Sequence, residues 1–177
     1  MFYTGIGSRE TPKHIGGYMT HAATVLDSVG YILRSGAADG ADSYFEQGAK
    51  NKHVFLPWKG FNKNTSSRYQ ISEEALALAS EHHPAWDKLS EPAKKLMARN
   101  CHQVLGVELD TPSDFVLCWT PDGCESHLTR TAKTGGTGLA ISLASRLGIP
   151  IYNLANEHSM FAMSMVLEQL HFDHLNP

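Results

Sequence analysis

The chain has 177 residues, 42% of them hydrophobic, and a formal net charge of -3 at neutral pH. That length suits one domain with a sizeable core, and the weak negative charge offers no overall attraction to a polyanion, so long nucleic acid is not an expected partner. No apolar run approaches the ~20 residues of a membrane span, no basic and apolar leader follows Met1, and the odd set Cys101, Cys118 and Cys124 fits a reducing cytoplasm better than a disulfide framework.

Phe2-Tyr3-Thr4 reads as a short strand broken by Gly5-Ile6-Gly7, after which Ser8-Arg9-Glu10-Thr11-Pro12 opens a helix to about Ser28. Ile15, Met19, Ala22, Ala23 and Leu26 recur along it at helical spacing and form a buried stripe. Gly30 ends the helix, Tyr31-Ile32-Leu33 is the next strand, and the turn Ser35-Gly36-Ala37-Ala38-Asp39-Gly40-Ala41-Asp42 leads into a helix over about 40–50. Asp39 and Asp42 fall at cap and first-turn positions, where a carboxylate favours the positive helix end. Residues 53–56 form a third strand closed by Pro57. Trp58 and Phe61 follow at what would be the carboxyl edge of a parallel sheet, with Trp58 a candidate platform for a base.

From 65 to 106 the strand and helix rhythm is interrupted by a helical insertion, with one helix over about 72–79, a break at His82-His83-Pro84 and a longer helix capped by Ser90. Ala93, Leu96, Met97, Cys101 and Val104 make its apolar face, whereas Arg99, His102 and Gln103 fall on another face and are expected to point at a cleft. Residues 114–119 are the most hydrophobic strand candidate and are placed centrally. A long loop over 120–138 ends in Lys133-Thr134-Gly135-Gly136-Thr137-Gly138 ahead of a helix over 139–147 and a strand over 151–154. This alternation implies an α/β fold with a doubly wound parallel sheet of order 3-2-1-4-5, its switch point between the first and fourth strands.

Three Gly-rich strand-to-helix junctions at one sheet edge point to a composite phosphate site, because glycine lets backbone N–H groups crowd an anion and each helix adds its positive end. The candidate ligand-binding residues are Gly7, Ser8 and Arg9, then Ser35, Gly36, Ala37, Asp39 and Asp42. Trp58, Arg99, Asn100 and Thr120 join them, with Thr134, Gly135, Gly136, Thr137 and Gly138 from the last turn. Ser8 can offer a hydroxyl and Arg9 a forked guanidinium, while the plainer alternative makes Ser8 a helix cap and Arg9 a solvated side chain. Neither the third glycine of a dinucleotide fingerprint nor the Lys-Ser/Thr of a Walker loop is present. Cys118, Cys124 and His127 match no common zinc spacing, and His82-His83 and His171 with His174 are similarly isolated, so no metal and no cofactor are expected. No nucleophile elbow occurs, and the catalytic residues, if any, are not identified.

Gly7-Ser8-Arg9, the segment from Ser35 to Asp42, Arg99-Asn100 and Gly135-Gly136-Thr137-Gly138 together resemble the ordered motifs of the SLOG superfamily. That superfamily includes the DNA-processing DprA/Smf proteins, the Lonely Guy (LOG) phosphoribohydrolases and YspA-like proteins. The resemblance spans nearly the whole chain and implies a Rossmann-like domain over 1–177 that binds a nucleotide or nucleotide-derived ligand. Where LOG enzymes carry catalytic carboxylates after the Gly-rich loop, this chain has Leu139-Ala140, with Glu125 a loop-borne substitute or a surface glutamate. The leading expectation is therefore a sensor or sequestering protein for a small nucleotide-derived signal, ADP-ribose-like or cyclic. A LOG-like N-glycosidase and a DprA-like single-strand binder stand as alternatives. The last helix, over 159–170, carries Met160, Phe161, Met163, Met165, Val166, Leu167 and Leu170 around most of its circumference, so a homodimer is expected, the alternative being that the 65–106 insertion folds over it.

Overall fold

The computed structural model describes residues 1–176. In chain order it runs β1 (Phe2–Gly7), α1 (Lys13–Ser28), β2 (Ile32–Ser35), α2 (Ala41–Gly48), β3 (Lys52–Val54), α3 (Glu73–His82) and α4 (Glu91–Leu105). β4 (Phe115–Trp119), α5 (Thr137–Arg146), β5 (Ile151–Asn153) and α6 (Glu157–Leu175) complete it. The five strands form one parallel sheet in the order β3-β2-β1-β4-β5. This is the α/β, doubly wound, Rossmann-like arrangement that the alternation of elements implies.

Period-two alternation divides the core into two layers. Tyr3, Leu33, Phe115 and Leu117 face α1, α2 and α6 and pack with Met19, Leu26, Phe45 and Met163. Ile6, Val116 and Cys118 face the other way, toward Val104 of α4 and Leu139, Ile141 and Leu143 of α5. Strands buried on both faces have no polar side, which is why 115–119 reads as a continuous apolar run.

Two boundaries differ from the sequence reading. Gly5-Ile6-Gly7 does not break β1 but completes it, pairing with Leu117, Cys118 and Trp119. A Cβ on Gly5 would stand 2.7 Å from Leu33 Cδ1 and from Phe45 Cγ, and one on Gly7 would stand 2.7 Å from Ala41 Cβ and 2.8 Å from the Trp119 carbonyl oxygen. These glycines serve close packing within a strand. The second difference is α4, which packs on β1, β2 and α5 and so forms part of the crossover between β3 and β4, with only α3 and the turns around it added. Ser90 caps α4 by accepting from Ala93 N–H, as its spacing predicts.

No helix among the described residues is long and apolar enough to cross a membrane. α6 packs on α1 and β5, burying Met163 and Leu167 while Phe161, Met165, Val166, Phe172 and Leu175 stay exposed. The helices of 65–106 lie on the opposite face of the sheet with α5, so they do not cover α6.

Candidate functional site

β1 and β4 are neighbours, but the helix after β1 packs on one face of the sheet and the helix after β4 on the other. A crevice therefore opens beyond their carboxyl ends. It is a cleft of about 320 Å³ bounded by Gly7, Ser8, Arg9 and Glu10 after β1, by Ala38 and Asp42 at α2, and by Leu96, Met97, Arg99 and Asn100 of α4. Lys133, Thr134, Gly135, Gly136 and Thr137 close it ahead of α5. The cleft thus gathers the expected Gly7, Ser8, Arg9, Asp42, Arg99, Asn100, Thr134, Gly135, Gly136 and Thr137. The sequence does not single out Ile6, Glu10, Ala38, Leu96, Met97 or Lys133; Ile6, Ala38 and Lys133 stand inside the Gly-rich runs, and the other three carry only a helical pattern.

Part of the rim is built to meet negative charge. Among the described residues the backbone N–H groups of Arg9, Gly136 and Thr137 have no protein acceptor, and the last two belong to the positive N-terminus of α5. Salt bridges join Lys94 to Glu91 and Arg99 to Asp42, which leaves the exposed side chains of Arg9 and Lys133 unpaired. Ser8 is not the cap of α1. Its Oγ accepts from Glu10 N–H at 3.1 Å, and its carbonyl accepts from Thr11 and from Ala41 N–H, tying the first turn to the start of α2. Gly40 at that contact has φ +80, and a Cβ there would stand 2.5 Å from the Ser8 carbonyl oxygen.

Arg99 and Asn100 brace the other two turns against each other. Arg99 is only 5% exposed; its Nη1 donates to the Gly36 carbonyl and its Nε donates to Asn100 Oδ1 at 3.1 Å. Asn100 Nδ2 in turn donates to the Gly136 carbonyl at 3.0 Å, at the cap of α5. Asp42, 1% exposed, lies 3.9 Å from Arg99 Nη1 and accepts from the N–H groups of Gly36 and Ala38 through Oδ2. Its Oδ1 is buried with no partner. Burial pushes the Asp42 carboxyl up to about 7 against the pull of Arg99, and burial likewise lowers Arg99. The guanidinium keeps its proton, but with Nη1 committed to Gly36 it does not outweigh the cost of burying Asp42.

Several expected residues lie elsewhere. The Arg99 guanidinium fills the space where a Gly36 side chain would stand, so this glycine makes room for the brace. Ser35 Oγ donates to Glu46 Oε1 at 2.8 Å, and Ala37 N–H donates to the same oxygen at 3.0 Å. Asp39 is exposed ahead of Gly40, the N-cap of α2. Gly138 is packed beneath the Arg130 side chain. Trp58 meets Phe61 edge-on at 5.2 Å beside a separate depression with Tyr69 and Lys95, because β3 is the sheet edge remote from the switch point. His102 stacks on Phe55 and Gln103 is fully buried; neither reaches the cleft, since α4 is buried all round from Ala98 to Leu105.

Thr120 is also fully buried, and it belongs to a cage that shapes the loop before α5. Asp122 Oδ2 accepts from the hydroxyls of Thr131 and Thr134, both at 2.5 Å, and its Oδ1 accepts from Thr120 Oγ1 at 2.8 Å. Partial burial alone would raise the Asp122 carboxyl, but the three hydroxyls and the Cys124 N–H carry it down to about 2. Sequence reasoning missed Asp122; the signal was an aspartate in a Thr-rich loop. Glu125 is not a free surface group, for its Oε1 accepts from Asn153 N–H at 2.7 Å and from Ser159 Oγ. Leu139 and Ala140 face the core.

Burial pushes the Cys101 thiol up to about 12 and raises Cys118 too, which disfavours both as thiolate nucleophiles. No group of three His, Cys, Asp or Glu side chains among the described residues is placed to hold a metal ion. Comparisons with protein-family models, with curated proteins and with solved structures found no match.

Proposed function

We propose that the cleft binds the phosphate of a small nucleotide or nucleotide-derived signal, and that the chain acts as its sensor or sequestering protein. One observation carries this reading: the unsatisfied N–H groups at the start of α5 share a rim with two unpaired cations, Arg9 and Lys133. Leu96 and Met97 add an apolar wall suited to a base or sugar, and a volume of about 320 Å³ matches a small ligand. The motif order shared with the SLOG superfamily supports the same assignment. Calorimetry with adenosine monophosphate and related nucleotides tests it. Arg9→Ala removes a charge-assisted bond of about 1.5–3 kcal/mol and should weaken affinity roughly 10- to 150-fold. Gly136→Val should weaken it too, because even a Cβ there stands 3.1 Å from Met97 Cε. Unchanged affinity in both folded variants rejects the phosphate cradle.

A second reading rests on Asp42. A buried carboxyl with one unpartnered oxygen in the cleft wall, once ionised above about pH 7, is the kind of group that supports an oxocarbenium-like centre when an N-glycosidic bond breaks. On that reading a nucleoside monophosphate releases free base, and Asp42→Asn stops it. Intact substrate after prolonged incubation removes the enzyme from consideration.

We further infer that a second copy of the chain covers the exposed apolar side of α6. Light scattering should give a dimer mass and Met165→Glu a soluble monomer. A wild-type monomer across micromolar concentrations rejects the dimer.

A further inference from the structure

A second and larger cavity, of about 650 Å³, opens next to the cleft and shares Gly135 with it. Its charged lining comes from three elements: Glu81 and His82 at the end of α3 with His83 just beyond, His127 and Arg130 from the loop after β4, and Arg146 from the last turn of α5. Two guanidiniums and three imidazoles thus face one rim glutamate, and none of them forms a salt bridge among the described residues.

Such a gathering is costly when empty. Burial, then the charge of Arg146 with Arg130 and His127, holds His82 below its ordinary range, and burial with Arg130 does the same to His83. An anion in the cavity reverses that repulsion. Protein contacts already fix these side chains. Arg130 Nη1 donates to the His82 carbonyl at 2.9 Å and reaches Ser142 Oγ at 3.4 Å, with its stem packed over Gly138. His127 Nδ1 meets Ser145 Oγ at 3.0 Å, and His82 Nδ1 is buried without a partner. The imidazoles do not converge as metal ligands, whereas arginine forks and histidines separated around a cavity match the oxygens of a phosphoryl group.

We propose that this cavity is a second phosphate-binding subsite, continuous with the cleft across Gly135. The cavity accepts a phosphoryl group whether or not the nucleotide reading of the cleft holds. Where that reading holds, its position makes a ligand with two separated phosphates, a nucleoside bisphosphate or a dinucleotide, the natural occupant of both. A free oligophosphate is the other source of the same chemistry.

Inorganic pyrophosphate titrated into the intact protein, followed by the ring C–H signals of His82, His83 and His127 in NMR, tests the subsite independently of the cleft. Saturable shifts of these signals are expected. Arg146→Gln and His83→Gln, which leave the Arg130 and Ser142 contacts in place, should each weaken binding severalfold. Absence of saturable shifts, or unchanged binding in both variants, overturns the proposal. Adenosine 3′,5′-bisphosphate and adenosine 5′-monophosphate separate the two sources. A tighter bisphosphate whose advantage disappears in Arg146→Gln identifies a single bridging ligand, whereas pyrophosphate and the monophosphate bound together identify a separate oligophosphate. If neither nucleotide binds, the cleft reading fails and the pyrophosphate titration still decides the subsite.

Discussion

Asp42 and Asp122 each fix a turn on the same crevice, under opposite electrostatics. Asp42 is buried beside one guanidinium 3.9 Å away and accepts two backbone N–H groups, and its carboxyl rises to about 7. Asp122 is partly open to solvent, holds three threonine hydroxyls, and falls to about 2. The nearby cation is therefore not what decides the charge state of an aspartate here. Loss of water outweighs an arginine committed elsewhere, and short donors at the protein surface outweigh partial burial. The turn at Gly36 is held by a carboxyl that resists being charged, and the loop before α5 by a cage that requires it.

Breaking the buried side should cost most. Arg99→Ala removes the brace to Gly36 and Asn100 and strands Asp42, so a loss of about 3–5 kcal/mol is expected, or roughly 10 °C in melting temperature for a domain of this size. The sequence reading expects Arg99 instead to point at the cleft and hold ligand. A variant that melts like wild type while losing nucleotide affinity would restore that view. Asp122→Ala should follow with about 1–3 kcal/mol, since its donors can turn toward water, and the loop over 120–136 should gain protease sensitivity. If Asp122→Ala proves the more damaging, the ranking of buried over exposed is wrong.

pH sharpens the contrast. The folded Asp42 carboxyl titrates near 7 against 3.8 when unfolded, so the folded state keeps a proton that the unfolded chain has already released. Its contribution is most favourable below about 3.8 and is lost as pH rises through about 7. For Asp122 the folded value is near 2 against the same 3.8, so its stabilisation is present above 3.8 and lost as pH falls toward 2. His82 and His83, both lowered, add a slope that rises with pH up to 6.5 and partly masks Asp42. Denaturant midpoints of wild type minus Asp42→Asn should therefore fall from pH 4 to pH 8, and those of wild type minus Asp122→Asn should fall only below pH 4. A flat first difference would show that Asp42 stays ionised throughout. The smallest effect expected is Thr131→Val, about 0.5–1.5 kcal/mol for one hydroxyl of three, with a rise in the Asp122 titration as its signature.

The strand order and the crevice between β1 and β4 were legible because alternating apolar strands and helices with Gly-rich junctions restrict the topology to few choices. Which glycines face the cleft was not legible. Gly36 and Gly138 sit in the right motifs, yet each makes room for an arginine, Arg99 or Arg130, that no local pattern ties to it. Arg99 does lie off the apolar stripe of α4, but periodicity cannot show that the opposite face is buried as well. Trp58 was misplaced because the carboxyl edge of a sheet is longer than its switch point. Lys133 is not singled out by a Gly-rich run whose pattern speaks for backbone contacts alone.

The pairing of β1 with β4 sets an order of events during synthesis. Phe2 N–H donates to Asp114 Oδ2, a contact that spans 112 residues. At a translation rate of roughly 5–20 residues per second, the second strand of that pair is made about 5–20 s after the first. In the interval β1 has β2 on one side and a bare edge on the other, an open invitation to pair with another nascent chain. Gly136 and Thr137 arrive later still, so a ligand held at the start of α5, as proposed, would act only on the finished chain. Slowing the ribosome before residue 115 should therefore raise aggregation, with added nucleotide giving no protection until release.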